Sequence, residues 1–264
     1  MHNLLVLESI SMWNNSPLDQ FIIRNLFSLK GDILANIQIS LTNIGLYLII
    51  TTFLIFMLYI LATNYNISTP NAWSISHESI YSTVYSIVIN QINANKGQMF
   101  FPLISALFIY ILINNLVGMV PYSFAPTSHF ILTFSISFTI VIGATILGFK
   151  VHSLKFFSLL VPSGCPLSLL PLLVFIEFIS YLSRSVSLGL RLAANILSGH
   201  MLLNILAGFT YNIMNNGLLY FFLGLIPLLF IIAFSGLEIA IAFIQAQVFV
   251  VLSSSYIKDS LDLH

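Results

Sequence analysis

Five ionisable side chains sit where such groups are costly. Glu177, Arg184, Arg191, His200 and Glu238 fall inside two long apolar stretches of the 264-residue sequence. At mid-depth in a membrane helix an ionised residue costs about 2.5–3.5 kcal/mol on insertion scales, so each needs a partner or a use. Glu177, Arg184 and Arg191 are seven residues apart. Two turns of helix bring a residue back to within about 20° of its starting direction, so the three form one stripe. Asn195 and Ser198 continue it, whereas His200 faces the other way. Glu238 and Gln245 repeat the interval of seven and form a second stripe. The chemistry open to such a set is reversible proton transfer: carboxylates and an imidazole exchange protons, while a guanidinium keeps its own.

Taken singly, several of these residues have plainer readings. Arg184 reads as an ion-paired or snorkelling anchor, His200 as a hydrogen-bonder between helices, and Gln245 as interhelical glue. Asp259 and Asp262, beside Lys258, read as a solvated tail. Glu177 and Glu238 are stronger candidates, being mid-helix carboxylates with no obvious local cation. Arg191 is the strongest, permanently charged and deep in an apolar segment. Ser180, Ser183, Ser187, Gly189, Ala193 and Ala194 accompany the first stripe and allow another helix to come close. A polar, small-residue face of this kind suits a partner surface or a water path.

The elements that must position these groups are apolar helices. Hydrophobic residues make up 58% of the chain and charged residues 6%, and the mean hydropathy is +1.01. Soluble domains carry about a quarter charged residues. Too little charge is present to cover a water-facing globule, so residues 1–264 read as a single all-α integral membrane domain. The first span lies in 37–62, where Asn43 to Ala62 supplies the roughly 20 apolar residues that cross a ~30 Å hydrocarbon core. Gly97 to Phe149 holds no Asp, Glu, Lys or Arg, and the proline-bearing VPYSFAPTSH divides it into spans at 99–120 and 130–149. Residues 77–93 alternate faces at helical spacing, with Ile80, Val84, Ile87, Val88 and Ile92 on one side and Ser and Asn on the other. They predict an amphipathic helix in the membrane interface, capped by Ser76, with Glu78 near its start. Residues 166–256 predict two long helices joined by NNG (215–217). At 1.5 Å per residue each runs to over ~50 Å, too long for an upright crossing. They either tilt steeply or break near Gly189, Gly199 or Pro227.

Five charges within residues 1–36 mark an aqueous N-terminal segment, exposed over 16–36, with a short helix after Pro17. Met1 to Ile10 lacks the basic region and cleavage site of a secretory signal. With five crossings, Lys96, Lys150, Lys155 and Lys258 fall on one side, which the positive-inside rule assigns to the cytoplasm or matrix. Eight basic and eight acidic residues give no net charge and no case for nucleic acid as a partner. The single Cys165 excludes an intrachain disulfide. GATILGFK (143–150) resembles a phosphate-binding loop, but its lysine comes one position late and no Ser or Thr follows. A secondary ion transporter with the buried charges as ligands is the alternative reading; it predicts internal repeats with paired broken helices, which the halves lack.

RSVSLGLRLAANILSGH (184–200) resembles the signature helix of subunit a of F-type ATP synthases, and INNLVGMVPYSFAPTSH (113–129) resembles that family's earlier Asn…Pro-Tyr-Ser-Phe segment. SPLDQF (16–21) and SYIKDSLDLH (255–264) are similar to fungal mitochondrial members. The resemblance runs in order over almost the whole chain. It implies that the last two helices form a steeply tilted hairpin against a ring of c subunits, with Arg191 facing the ring as the essential arginine. Asn195, His200, Glu238 and Gln245 then match a half-channel open to the intermembrane space. Glu177 matches the matrix half-channel, with Asp259 near its mouth. Other membrane-sector and peripheral-stalk subunits are the implied partners, protons the cargo, and no cofactor or metal is required. The implied location is the mitochondrial inner membrane, with the N-terminus in the intermembrane space and the C-terminus in the matrix. Fungal relatives also lose a short leader, which implies that residues 1–15 are absent from the mature chain.

Overall fold

In the computed structural model, residues 18–30, 38–63, 71–92, 94–120, 123–161 and 169–261 are described. The segments 1–15 and 162–168, and Asp262, on which some sequence expectations fall, lie outside that set. The short helix expected after Pro17 is a single 3-10 turn, Asp19–Phe21. Two strands follow, β1 (Asn25–Lys30) and β2 (Gln38–Thr42), paired antiparallel with Phe27 opposite Leu41 and Ser28 opposite Ser40. Alternation of apolar and polar residues in FSLK and QISL carries a period of two, which a strand satisfies and a helix does not. Residues 38–42, counted in the first span above, therefore belong to a strand.

Helix α1 (Asn43–Ala62) begins where Thr42, in extended conformation, accepts a 3.5 Å hydrogen bond from the Gly45 N–H. Helix α2 (Ala72–Ile92) starts one turn earlier than expected. Ser76 is inside it, its hydroxyl donating to the Trp73 carbonyl at 2.9 Å, so it is no cap and Glu78 is not in the first turn. The apolar face of α2 does not wait for lipid. Val84, Val88 and Ile92 are buried in a core shared with α3 (Ala94–Gly118) and the last helix. A helix lying in the interface would meet lipid with Trp73, Ile75, Tyr81 and Tyr85, which are exposed.

Helix α4 (Phe130–His152) buries Thr133, Ser137, Val141, Ala144 and Gly148, a narrow seam spaced three and four residues apart. Against it lies α5 (Leu170–Met214), a helix of 45 residues; α6 (Leu218–Leu261) has 44. Gly189 of α5 permits the approach: a Cβ there would stand 2.9 Å from the Ser137 hydroxyl and 3.2 Å from the Thr133 carbonyl. Gly217, at φ +139°, turns the chain between α5 and α6. Neither helix breaks at Gly189, Gly199 or Pro227. Among the described residues five helices, α1 and α3 to α6, are long and apolar enough to cross a membrane. At about 66 Å, α5 and α6 are each twice the hydrocarbon thickness.

Candidate functional site

The two long helices pack along each other and bring the ionisable residues into two groups on either side of Arg191. In the outer group, Arg184 Nη2 lies 3.3 Å from Glu177 Oε1, two turns back on the same helix, and Nη1 lies 3.6 Å from Asp259 Oδ2 on α6. The cation that Glu177 lacked in the sequence reading is thus Arg184, reached by a long side chain lying along the stripe. Asp259 is part of the same network instead of a free solvated tail. All three side chains are partly open to solvent (43%, 38% and 31%). Pairs this exposed contribute about 0–1 kcal/mol. Tyr181 and the buried Tyr256 meet edge-on beside them, with ring centres 6.5 Å apart. His152 Nε2 lies 3.0 Å from the Leu261 carbonyl and ties the end of α6 to α4.

Arg191 stands about 10 Å further along the helix from Arg184. It is exposed, and no carboxylate among the described residues lies within ion-pair distance of it. Ser183, Ser187 and Ala194 form a shallow hollow around it, walled by Val186 and Leu190. The small residues of the stripe divide here. Gly189 and Ala193, expected on the same face, are turned into the protein against α4 and its neighbours.

In the inner group Glu238 and Gln245 are buried, and Asn195 and His200 half-buried. Asn195 Nδ2 donates to Gln245 Oε1 at 3.0 Å, between residues 50 positions apart in the chain. One turn on, His200 Nε2 and Glu238 Oε1 are 3.9 Å apart, beyond hydrogen-bonding distance, and neither atom has another hydrogen-bond partner. Gln245 Nε2 is likewise buried without one. Gly199 leaves the room that Glu238 occupies, since a Cβ there would stand 2.5 Å from Oε1 and 2.9 Å from Cδ. Buried polar atoms without partners are rare in folded proteins, and where they cluster they mark a place for water. Sequence reasoning missed Asn115, whose amide donates to the Ala242 carbonyl at 3.5 Å while its own Oδ1 is buried and unpaired. The signal was available: two consecutive amides, Asn114 and Asn115, in an otherwise apolar run.

Comparison with known proteins decides what carries this arrangement. Residues 45–258 match the family model described as ATP synthase A chain. The chain is 75% identical over 249 residues to ATP synthase subunit a of Emericella nidulans, covering 94% of this chain and 97% of that one. It is 69% identical over 258 residues to the subunit a of Podospora anserina (97% and 98% covered) and 47% identical over 250 to that of Mycosarcoma maydis (95% and 98%).

The chain belongs to the ATP synthase subunit a family.

As a subunit a, it is a multi-pass protein of the membrane sector of F-type ATP synthase and a partner of other subunits of that enzyme. The matched region includes Glu177, Arg184, Arg191, Asn195, His200, Glu238 and Gln245, and stops one residue short of Asp259. Both groups and the arginine between them therefore lie in, or at the edge of, the part of the chain the family shares.

Proposed function

We propose that this subunit a forms the stationary wall of a proton path, with Arg191 set against a ring of c subunits and a half-channel on each side. The observation that carries the reading is the isolation of Arg191, exposed among small and apolar residues with no carboxylate of the described chain to pair with. A permanent cation in that position calls for an anion from outside the chain. A ring carboxylate approaching it is held ionised and releases its proton, because a nearby positive charge favours the charged form of an acid. Guanidinium, already protonated, does not accept that proton, and its charge bars direct hopping between the half-channels. Asn195, His200, Glu238 and Gln245 form the half-channel from the intermembrane space. Glu177 and Asp259 line the one to the matrix, with Arg184 holding both acids in place. Each proton that crosses supplies about 2.3 kcal/mol per 100 mV of membrane potential. The setting is the mitochondrial inner membrane, with the N-terminus in the intermembrane space and the lysine-bearing loops and C-terminus in the matrix.

The test is Arg191→Lys in the assembled enzyme. The expected result is loss of ATP-coupled proton flow with assembly retained, since a lysine can give up its proton and lacks the guanidinium fork. Normal coupled synthesis in that variant overturns the proposal.

A further inference from the structure

His200 is enclosed on several sides. Glu238 of α6 faces it, and at the end of α3 a Cβ on Gly118 would stand 4.0 Å from its Nε2. A third wall comes from the N-terminal segment, where Phe21 meets the imidazole edge-on with ring centres 6.2 Å apart and planes at 71°. This wall is built differently from the others. The 3-10 turn, closed by the Phe21 N–H donating to the Leu18 carbonyl at 3.0 Å, aims the ring. Asn43, the first residue of α1, holds the chain that follows. Its Nδ2 donates to the Ile22 carbonyl at 3.0 Å, its Oδ1 accepts from the Arg24 N–H at 3.2 Å, and its own N–H donates to the Arg24 carbonyl at 3.1 Å. Ile22, Ile23 and Arg24 are exposed, so few buried contacts add to those three bonds.

We infer that Leu18–Arg24 is a strap over the His200–Glu238 pair, and that Phe21 is a positioning residue for His200. The ring keeps the imidazole turned toward Glu238 and limits contact with bulk solution. A segment that leaves Leu18, Ile22 and Ile23 half exposed buries little apolar area and opens more readily than packed helix, so the strap is the wall that yields. The inference rests on the proposed half-channel for its relevance to proton flow, but not for its geometry.

The experiment uses the assembled ATP synthase in its membrane, with diethylpyrocarbonate as the probe, peptide mass spectrometry as the readout and His152 as the internal reference. Phe21→Ala and Asn43→Ala are each expected to raise the rate of His200 modification several-fold, while Phe21→Leu, which keeps an apolar wall, stays close to the native rate. An unchanged His200 rate in both alanine variants overturns the strap and leaves the proton-path reading standing. Faster modification with unaltered proton flux in the same membranes supports the strap and sinks the assignment of His200 to the half-channel.

Discussion

The two polar groups flanking Arg191 solve the cost of charge in opposite ways. Around Arg184, three formal charges sit near the surface, with one cation within 3.6 Å of two carboxylates. Around Glu238, one carboxylate is buried beside an imidazole it does not reach, among amides that are only half satisfied. In the first group solvent screening makes each pair cheap to break and of little worth to the fold. In the second, low dielectric makes every missing partner expensive. On the proposed reading the paired, open cluster serves as a mouth and the more buried one as a passage. Arg191 belongs to neither, and that separation is the main lesson of the geometry.

The contrast can be broken experimentally. The largest effect is expected for Arg191→Lys, because the proposed proton path rests on a guanidinium that keeps its charge. Next comes Gly199→Ala, which places a methyl group against Glu238 and turns its carboxylate away from His200. Assembly should survive, and proton flux through the membrane sector should fall by roughly tenfold or more, as displacement of a reacting group by about an ångström can do. Native flux in that variant would show that the placement of Glu238 is immaterial.

A smaller effect sharpens the comparison directly. Double-mutant cycles on proton flux should give a larger coupling for Asn195 with Gln245 than for Arg184 with Asp259. Losing one partner of a buried hydrogen bond costs about 1–3 kcal/mol, against about 0–1 for an exposed ion pair. Equal couplings would mean that the two groups do not differ in the way their burial implies. The smallest effect concerns His129, between the second and third spans, where burial beside Phe124 pushes the imidazole below its ordinary range. Its neutral form is favoured in the folded state, so its contribution is intact above the ordinary histidine pKa of about 6.5 and is lost as pH falls below that. His129→Gln should therefore flatten part of the acid-induced loss of thermal stability between about pH 6.5 and 5.

Much of the architecture was legible because it is local. The charge-free run from Asn43 and the proline break after Val120 fall where helices begin and end. The start of α2 was misplaced because Ser76 offers the chemistry of a cap, while its hydroxyl bonds back to Trp73 inside the helix. The strand pair is hard to read from sequence because its alternation runs for only about four residues in each strand, and the pairing of β1 with β2 supplies the rest.

By itself, then, the sequence determined that the chain needs lipid, that its last two helices outrun a bilayer, and that Glu177, Arg184 and Arg191 share one line. Those conclusions follow from composition and from the helical period, which act within a single segment. Only the tertiary structure decided that Asp259 completes the Arg184 network, that Asn195 meets Gln245, that Glu238 fills the space left by Gly199, and that Phe21 covers His200. Each is a contact between elements, set by the axial offset and crossing of packed helices, and no one-dimensional spacing encodes those two quantities.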